Sequence, residues 1–322
     1  MTPKVSIVCP TFNGESRGYL REAIESVLAQ SFQNYELIII DDGSTDDTRK
    51  ECERYLQDPK VNYIFQQNDG PAKARNTGIE ASSGEFICFL DDDDLWKPNK
   101  LHRQVQFIDN KLANFRKWGM VFTWAELIDA RGNTIGYRGH RQEGAIYKSL
   151  FFENIIDATS SVLVKRGVFD KVGLFDESHK QCEDWDMWLK IAKNYYIFPI
   201  KEYLVKYREH NSRLSSRDEE AFFYEKAVLK KALSAAPSEI NPVDVYASSY
   251  INRSVVYFSF GEYHKFREMF IKGARISPKL VSIEHIVLLC ISFFSDGLID
   301  RIKKVKRQIQ KRWIARRVRE IP

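Results

Sequence analysis

Short apolar segments alternate with helical patterns along the first 110 residues of the chain. The segments are rich in β-branched and aromatic residues and are apolar at nearly every position, which is typical of strands buried on both faces of a sheet. Such strands joined by helices form parallel sheets, so the sequence predicts a doubly wound, Rossmann-like α/β domain with a mostly parallel sheet. The predicted strands are residues 5–10, 35–42, 61–66 and 85–91, and the predicted helices are residues 19–29, 46–56, 72–81 and 100–110.

Beyond residue 118 the pattern changes. Two strand-like segments on either side of a turn predict an antiparallel hairpin, residues 160–166 predict a further strand, and "DWDMWLKIAKN" predicts a helix. Strand signals end at Asp218, and residues 247–278 predict a helical hairpin, with a single tetratricopeptide-like unit as the alternative. We therefore expect an α/β domain over residues 1–217, a helical region over residues 218–298 and a basic tail over residues 299–322.

The cysteines and the apolar segments of the sequence argue against a disulfide-rich, a zinc-knuckle and a membrane-spanning protein. The five cysteines are odd in number and form no CxxC pair, which argues against a disulfide framework or a zinc knuckle. The longest apolar stretch, Ile286–Phe294, is about half of the roughly 20 residues that a membrane-spanning helix needs. No signal peptide follows Met1, so we expect a cytoplasmic protein.

Acidic residues follow two of the predicted strands. Asp41 and Asp42 end the second strand, and four consecutive aspartates, Asp91–Asp94, end the fourth. Ligands of doubly wound sheets bind beyond the carboxyl ends of the strands, so these carboxylates should line one cleft. Carboxylate oxygens favour Mg²⁺ or Mn²⁺ over zinc and leave positions for the phosphate oxygens of a substrate. The sequence therefore predicts a divalent-cation site, with a solvated acidic loop as the alternative.

Other acidic-loop chemistries fit the pattern less well. A calcium-binding EF-hand needs glycine at its sixth position, which is Trp96 when the loop is counted from Asp91. An apolar strand followed by DxD also resembles the haloacid-dehalogenase phosphatases, but Leu95 stands where they usually carry Thr or Val. Dinucleotide-binding GxGxxG and Walker A loops are absent from the sequence. A Mg²⁺-dependent phosphatase-like hydrolase with Asp91 as nucleophile remains an alternative.

Four segments in order carry a family resemblance. They resemble the inverting glycosyltransferase family 2 with the GT-A fold, over roughly residues 3 to 215. The resemblance implies that residues 1–217 form a catalytic domain that uses a nucleotide-diphosphate sugar and a metal bound by a DxD motif. The segments are "VSIVCPTFNG", "AIESVLAQSFQNYELIIIDDGSTDDT", "GPAKARNTGIEASSGEFICFLDDDDLWKPNKL" and "CEDWDMWLK".

The resemblance also implies a donor site. Asp42 is the expected acceptor for a uracil imide N–H, since a carboxylate accepts that bond without donating a competing one. The guanidinium of Arg75 suits the diphosphate. Glu36 has the alternative of a plain surface charge, and Lys73 has the alternative of a solvent-exposed one. By position, the residues expected to bind the donor are Pro10, Thr11, Asn13, Glu36, Asp42, Lys73, Arg75, Asp91 and Asp92.

The metal site is implied at Asp91–x–Asp93. Asp93 is the first choice for direct metal contact, Asp91 the second, and His210 in "YREHNSRLS" matches a family histidine near the diphosphate or metal. Asp92 is expected to reach the ribose hydroxyls. Asp94 is expected to cap the following "LWKP" turn, which is a structural role.

Inverting transfer is a single displacement in which an acceptor hydroxyl attacks the anomeric carbon as the diphosphate departs. Asp184 matches the family's base position, and a positioned base typically contributes 10²–10⁴-fold. Glu183 is expected to orient the acceptor, and Asp186 to be a charge on the helix face. Trp185 and Trp188 are expected in the core.

The tail between Arg301 and Arg319 carries ten Lys or Arg and no acid. Apolar residues recur among these cations as in a basic amphipathic helix, which suits an anionic membrane surface. A solvated helix and nucleic-acid contact are alternatives because basic runs are not selective, but nucleic acid is not an expected partner. The tail thus predicts peripheral association with the inner face of the cytoplasmic membrane, near a lipid-linked acceptor.

Together these features predict a Mn²⁺- or Mg²⁺-dependent inverting glycosyltransferase. It would move a sugar from a nucleotide-diphosphate donor, with a UDP-sugar favoured, to a saccharide or lipid-linked saccharide in surface polysaccharide or glycan biosynthesis. The alternatives are the hydrolase above and a non-catalytic scaffold that binds sugar nucleotides or glycans. The donor sugar, the acceptor and the oligomeric state do not follow from the sequence.

Overall fold

A computed structural model of the chain describes residues 2–156, 158–210 and 219–293. These residues divide into two compact units: residues up to 150 together with 154–210, and residues 151–153 together with 219–293. The domain boundary predicted at residue 217 and the basic tail predicted over residues 299–322 both lie outside the described residues.

A nine-stranded mixed sheet forms the centre of the first unit. Its strands are β1 (Val5–Thr11), β2 (Tyr35–Asp42), β3 (Val61–Gln66), β4 (Phe86–Phe89), β5 (Leu95–Trp96), β6 (Trp118–Ile128), β7 (Thr134–Arg138), β8 (Val162–Lys165) and β9 (Tyr196–Arg208). Their order is β3-β2-β1-β4-β8-β6-β9-β5, and β7 pairs with β6.

The first four strands are parallel, as the sequence predicts. The apolar side chains of β2 and β4 are buried, and Val5, Ile7 and Val8 of β1 are fully inaccessible, whereas β3 at the edge of the sheet exposes 58% of Phe65. Because β2 lies on one side of β1 and β4 on the other, the order in which strands are added to the sheet reverses at β1. A reversal of this kind leaves a crevice beyond the carboxyl ends of the strands.

The other half of the sheet adds antiparallel pairs. Strand β8 runs antiparallel to β4 and β6, and β6 and β7 form the predicted hairpin. Strand β9 is parallel to β6 and antiparallel to the two-residue edge strand β5. Through β9 and β5, the end of the first unit returns to the segment that follows β4.

Helices flank the strands along the chain. In the first unit they are α1 (Gly14–Arg17), α2 (Leu20–Leu28), α3 (Thr48–Glu53), α4 (Pro71–Ala81), α5 (Lys100–Phe107), α6 (Tyr147–Leu150), α7 (Gly167–Val172) and α8 (Glu183–Asn194), with a π-helical turn at Ile108–Leu112 and a 3₁₀ turn at Thr159–Ser161.

Helix α4 packs closely on β1. It starts after Gly70, whose φ of 92° allows a sharp turn, and Pro71 takes the first helical position. A Cβ built on Gly78 would lie 2.2 Å from Cγ1 of Val8, so only glycine lets the helix approach the strand this closely.

The second unit is helical throughout its described length, as predicted. The predicted hairpin is formed by α10 (Pro242–Ser259) and α11 (Tyr263–Ile276), which pack Tyr257, Phe266 and Phe270 between them. Among the described residues, no helix combines the length and apolar character needed to cross a membrane. The helices are α9 (Glu219–Leu233), α10 (Pro242–Ser259), α11 (Tyr263–Ile276) and α12 (Ile283–Ile291), with a 3₁₀ turn at Pro278–Leu280.

Candidate active site

The four aspartates Asp91–Asp94 follow β4 at the carboxyl ends of the parallel strands. The backbone N–H of Leu90 still donates to the carbonyl oxygen of Val8 in β1 (3.0 Å), and the acidic residues come next. Asp91 is partly exposed and the other three are buried. Carboxylate oxygens of Asp91, Asp93 and Asp94 lie within 4.8 Å of one another. The quartet is therefore a folded cluster, and the alternative of a solvated acidic loop does not apply.

Asp92 is held by the loop that follows β1. Thr11 Oγ1 donates to Asp92 Oδ2 at 2.5 Å, and the guanidinium of Arg17 pairs with the same oxygen. Burial raises the pKa of Asp92 to about 7, an effect that Arg17 opposes and neighbouring Asp93 reinforces. Asp92 thereby joins the ends of β1 and β4.

Asp94 does not cap the turn that follows it, so that prediction is wrong. Its carboxylate is fully buried and accepts hydrogen bonds from Ser160 Oγ at 2.7 Å and from the backbone N–H of Arg208 at 3.0 Å. The predicted structural role holds, but the partners come from residues far along the chain.

His210 meets the quartet at Asp93. Its Nε2 lies 2.9 Å from Asp93 Oδ2, and both side chains are largely buried. The ring packs beside Tyr19, with ring centroids 5.3 Å apart. The guanidinium of Arg208 adds a hydrogen bond from Nε to the carbonyl oxygen of Asp93 (2.9 Å). The structure thus brings two of the three residues predicted as metal ligands, Asp93 and His210, into direct contact.

Arg75 joins the quartet to α8. Its Nη2 donates to Asp91 Oδ1 at 2.8 Å and its Nη1 donates to Glu183 Oε1 at 2.5 Å. Burial alone would lower the pKa of Arg75, but the two carboxylates raise it, so the guanidinium stays charged. Acids from two motifs that lie about a hundred residues apart in sequence therefore share one buried cation.

Asp184 lies in the first turn of α8, directly after Glu183. The chain enters this helix through Cys182 at a φ of 60°, a left-handed conformation that is strained for a residue other than glycine. Asp184 Oδ1 accepts from the backbone N–H of Trp185 at 2.6 Å, and Thr159 Oγ1 lies 3.5 Å from Oδ2. Burial and the negative charge of Glu183 together raise the pKa of Asp184 to about 7, although the positive charge of Arg75 opposes the shift. A carboxylate with such a pKa suits proton transfer near neutral pH.

The remaining residues of α8 are structural. Trp185 and Trp188 are buried, as predicted, and Trp185 Nε1 donates to the carbonyl oxygen of Leu150 at 2.8 Å. Asp186 was predicted as a surface charge and is instead buried, with Oδ2 2.8 Å from Lys190 Nζ. The prediction that Asp186 is a charge on the helix face is wrong because the first turn of α8 also buries the face that carries Asp186.

The structure does not bring Glu36 to the site. Glu36 is the second residue of β2, at the amino end of the strand, whereas Asp42 ends the same strand. Six residues of strand separate them by about 20 Å. Glu36 Oε1 accepts from Ser6 Oγ at 2.6 Å and from the backbone N–H of Ser83 at 2.8 Å. These hydrogen bonds connect the start of β2 to the start of β1 and to the residues before β4, at the opposite end of the strands from the crevice.

The other predicted donor-binding residues lie at or near the correct edge. Asp42 accepts hydrogen bonds from Gln66 Nε2 (2.7 Å) and from backbone N–H groups of the loop before α4, and burial raises its pKa. Asn13, at a φ of 50°, holds the loop after β2 by accepting from the backbone N–H of Thr45 (2.8 Å). Pro10 pairs with Ile40 across the ladder next to these loops. Lys73 is half-exposed and lies 3.4 Å from Glu177.

Several site residues gave no signal in the sequence. Arg17 sits in a short polar helix with no motif around it, and Phe12 is an apolar residue with 45% of its surface exposed beside the crevice. Thr159 and Ser160 precede β8; the sequence predicted that strand from residue 160, but residues 159–161 form a buried 3₁₀ turn instead. Only the fold reveals that this turn faces the acids.

Sequence comparisons identify relatives over the first unit. The model of glycosyl transferase family 2 matches residues 6–173. An uncharacterized glycosyltransferase of Rickettsia typhi is 36% identical over 220 residues, which cover 67% of this chain and 67% of the relative. TuaG of Bacillus subtilis, named as a glycosyltransferase of teichuronic acid biosynthesis, is 31% identical over 217 residues, covering 66% of this chain and 82% of TuaG.

Solved structures share the fold. Residues 1–349 of Staphylococcus aureus TarS, in complex with UDP-GlcNAc, match with a TM-score of 0.62 at 19% identity, covering 97% of this chain and 92% of that chain. The mannosyltransferase PcManGT of Pyrobaculum calidifontis, in complex with GDP-Man and Mn²⁺, matches with a TM-score of 0.56 at 16% identity, covering 99% and 87%. These likenesses confirm the predicted GT-A fold.

The class of protein follows from the sequence matches. The family model spans more than half of the chain, and the Rickettsia relative aligns over two thirds of it. Neither a phosphatase-like hydrolase nor a non-catalytic scaffold is supported by these matches. The chain is therefore an enzyme that belongs to glycosyltransferase family 2.

Proposed function

We propose that this enzyme transfers a sugar, with inversion, from a UDP-sugar to a hydroxyl of a saccharide or lipid-linked saccharide during surface polysaccharide synthesis. The observation that carries the proposal is the Arg75 bridge, which holds Asp91 and Glu183 on one guanidinium. It keeps the acids suited to a metal and diphosphate beside Asp184, the acid suited to accept a proton. Both halves of a displacement reaction then share one pocket.

The donor set fits a hard divalent cation. Asp91 and Asp93 offer carboxylate oxygens, and Asp93 Oδ2 lies 2.9 Å from His210 Nε2. Carboxylate oxygens are the ligands that Mg²⁺ and Mn²⁺ prefer in proteins. Asp91, Asp93 and His210 would therefore hold Mn²⁺ or Mg²⁺, which would neutralise charge on the departing diphosphate. The Mn²⁺ in the PcManGT complex is consistent with this assignment.

The nucleotide would lie beyond the ends of β1 and β2. Phe12 offers an exposed ring on which a base can stack. Within the described residues, Asp42 Oδ2 accepts one hydrogen bond, from the N–H of Gly70, which leaves a lone pair for an imide N–H. UDP is favoured because TarS binds UDP and UDP-GlcNAc in its complexes.

Asp184 would take the acceptor's proton. The acceptor oxygen forms the new bond to the anomeric carbon, the bond from that carbon to the diphosphate breaks, and the hydroxyl proton moves to the Asp184 carboxylate. Glu183 is held by Arg75 and contributes negative charge next to Asp184, which strengthens Asp184 as a proton acceptor in the surrounding buried site.

The acceptor would be a growing polymer at a membrane surface. TuaG is named for the synthesis of teichuronic acid, a saccharide polymer. The second unit exposes the apolar residues Ile283, Ile286, Val287 and Phe293 on and just after α12, and the sequence continues into the cation-rich residues 301–319. Exposed apolar side chains followed by cations suit an anionic lipid surface, at the inner face of the cytoplasmic membrane.

A thermal-shift panel of nucleotide sugars with and without Mn²⁺ tests this function. A UDP-sugar together with Mn²⁺ should raise the melting temperature, because ligand that binds only the folded state stabilises it by about 2.7 kcal/mol at a hundred times Kd. Asp93→Asn should lose the Mn²⁺ dependence. Asp109→Asn, an exposed acid paired with Lys4, should behave as the wild type. Stabilisation by no nucleotide sugar, or equal stabilisation without metal, would contradict the proposal.

A further inference from the structure

The buried turn Thr159–Ser161 lies between the two halves of the active site. Thr159, Ser160 and Ser161 are each at most 5% exposed, yet all three carry hydroxyl groups. A buried hydroxyl costs free energy unless it is hydrogen-bonded, so each of these groups should have a partner. Two of the three face the acids of the site.

Ser160 touches both ends of the aspartate quartet. Its Oγ accepts from the backbone N–H of Asp91 at 3.0 Å and donates to Asp94 Oδ2 at 2.7 Å. Its carbonyl oxygen accepts from Trp96 Nε1 at 2.8 Å, in the strand that follows the quartet. One side chain and one carbonyl group therefore fix the path of the chain from Asp91 to Trp96. Four adjacent carboxylates repel one another, and these bonds oppose the opening of the loop.

Thr159 faces the other half of the site. Its Oγ1 lies 3.5 Å from Asp184 Oδ2. Thr159 and Ser160 are adjacent, so their Cα atoms are about 3.8 Å apart. This short distance limits how far Asp184, which Thr159 contacts, can lie from the aspartate quartet, which Ser160 contacts. The turn is itself anchored, since the carbonyl oxygen of Ser161 accepts from Gln104 Nε2 at 3.0 Å, and Gln104 in turn binds buried Lys100.

We infer that Thr159 and Ser160 are positioning residues that set the distance between the metal-binding acids and Asp184. This inference rests on the proposed function. The turn joins the two halves of the site through uncharged hydroxyl groups, in addition to the charged bridge through Arg75. It contacts different atoms: the backbone N–H of Asp91, the carboxylate of Asp94 and Oδ2 of Asp184. Neither residue is assigned a contact with substrate.

The first test measures metal-dependent donor binding, without turnover, in the full chain. Ser160→Ala should raise the Mn²⁺ concentration needed for half-maximal UDP-sugar stabilisation roughly tenfold, as removal of outer-shell partners typically does. Ser161→Ala is the matched control in the same turn, because in the described part of the chain its Oγ donates to the carbonyl oxygen of Ala158 (2.7 Å) and contacts none of the acids. It should leave the Mn²⁺ requirement unchanged. If Ser160→Ala does not fold, Ser160→Cys gives the same comparison with a weaker donor.

The second test measures the pH dependence of transfer. The charged groups near Asp184 are Glu183, Arg75 and Asp91. Its neutral donors are the backbone N–H of Trp185, on Oδ1, and the hydroxyl of Thr159, on Oδ2. Thr159→Val should move the acidic limb of kcat to higher pH, since a carboxylate that loses a donor holds its proton more tightly. Thr159→Ser should restore the wild-type profile.

The outcomes separate the two proposals. If the wild type shows no Mn²⁺-dependent binding of any nucleotide sugar, the proposed function fails. If the wild type binds donor with Mn²⁺ but Ser160→Ala and Ser161→Ala need the same Mn²⁺ concentration, the positioning role of Ser160 is wrong. A Thr159→Val profile that overlays the wild type removes Thr159 from the inference.

Discussion

Asp184 shows how surroundings set the chemistry of a single residue. An aspartate in water loses its proton near pH 4, which makes it a weak base. Burial raises the pKa of Asp184 to about 7, and Glu183 adds to the effect. At pH 7 about half of the Asp184 side chains are therefore ionised, and the carboxylate binds a proton strongly enough to act as the proposed base.

The pH profile of the reaction should report this pKa. Because the base must be ionised, kcat/KM should rise with pH through about 7. Asp184→Asn should reduce transfer by roughly 10²–10⁴-fold at pH 8, while donor binding measured by thermal shift persists. Steady-state transfer assays across pH 5.5–9 on both proteins check the expectation. An Asn variant with wild-type turnover would exclude Asp184 as the base.

The same shift predicts an effect on stability. A carboxyl whose pKa is higher in the folded state stabilises the fold at low pH, and this contribution is lost as pH rises from about 4 to about 7. Asp184→Asn should therefore raise the melting temperature more at pH 8 than at pH 5, by on the order of 2–4 °C for each kcal/mol relieved. Equal changes at both pH values would show that Asp184 titrates as an ordinary aspartate.

Sequence patterns predicted the residues of this site unevenly. Asp93, Arg75, His210 and Asp184 converge in the structure, because each lies at the end or start of an element whose position follows from the sheet. Glu36 matched a family position but is the second residue of β2, at the opposite end of the strand from Asp42 and the crevice. The predicted bounds of this strand, residues 35–42, are consistent with that placement. The partners of Asp94 could not be inferred, because they depend on the packing of β8 and β9 beside the quartet.

At the scale of elements, β1–β4 were predicted to within two residues because each is a short run of mostly β-branched and aromatic residues bounded by turn residues. The turn at residues 159–161 was missed because a short 3₁₀ segment has no period of its own, and its residues continue directly into the apolar pattern of β8. Helix lengths were less accurate: α3 occupies Thr48–Glu53 within the predicted 46–56.

The contact between α4 and β1 gives a prediction at this scale. Gly78→Ala should destabilise the protein by about 1–3 kcal/mol, because the new Cβ would lie 2.2 Å from Cγ1 of Val8 and overpack the core. Gly167→Ala in α7 is the matched helical control, since its nearest neighbour would be 3.7 Å away; it should be neutral or stabilising. Denaturant unfolding of both variants measures the difference. Equal stability of the two would show that α4 shifts to accept the methyl group.

At the scale of the whole molecule, the sequence predicted an α/β region followed by helices, and the structure contains one unit of each kind. Beyond the parallel half, the sequence predicted the antiparallel hairpin of β6 and β7 but not the other antiparallel pairs of the sheet. Antiparallel pairs such as β4 with β8 join residues about 77 apart, and local periodicity does not specify which distant strands become neighbours.

Binding of the full chain to vesicles belongs to this scale. The chain should cosediment with vesicles that contain anionic lipid and less with purely zwitterionic ones, and added salt should weaken binding. Ile283→Asp should weaken binding roughly tenfold, because burial of an isoleucine side chain contributes about 1.5–3 kcal/mol. Val243→Asp, on an exposed apolar residue of α10, should not. If Ile283→Asp instead dissociates an oligomer and leaves vesicle binding intact, the face of α12 serves a second copy of the chain.

The side chains that meet at the site come from distant positions in the sequence, and this has a consequence for biosynthesis. Thr11 meets Asp92 across 81 positions, Arg75 meets Glu183 across 108, and Asp93 meets His210 across 117. At about 5–20 residues per second, a ribosome needs roughly 6–23 s to add the last of these intervals. Until His210 has been added, the nascent chain contains the four aspartates without the histidine that contacts Asp93 in the folded enzyme. Translation-arrested chains that stop before β9 should therefore fail to retain Mn²⁺, and competence should appear only when the final strand has emerged.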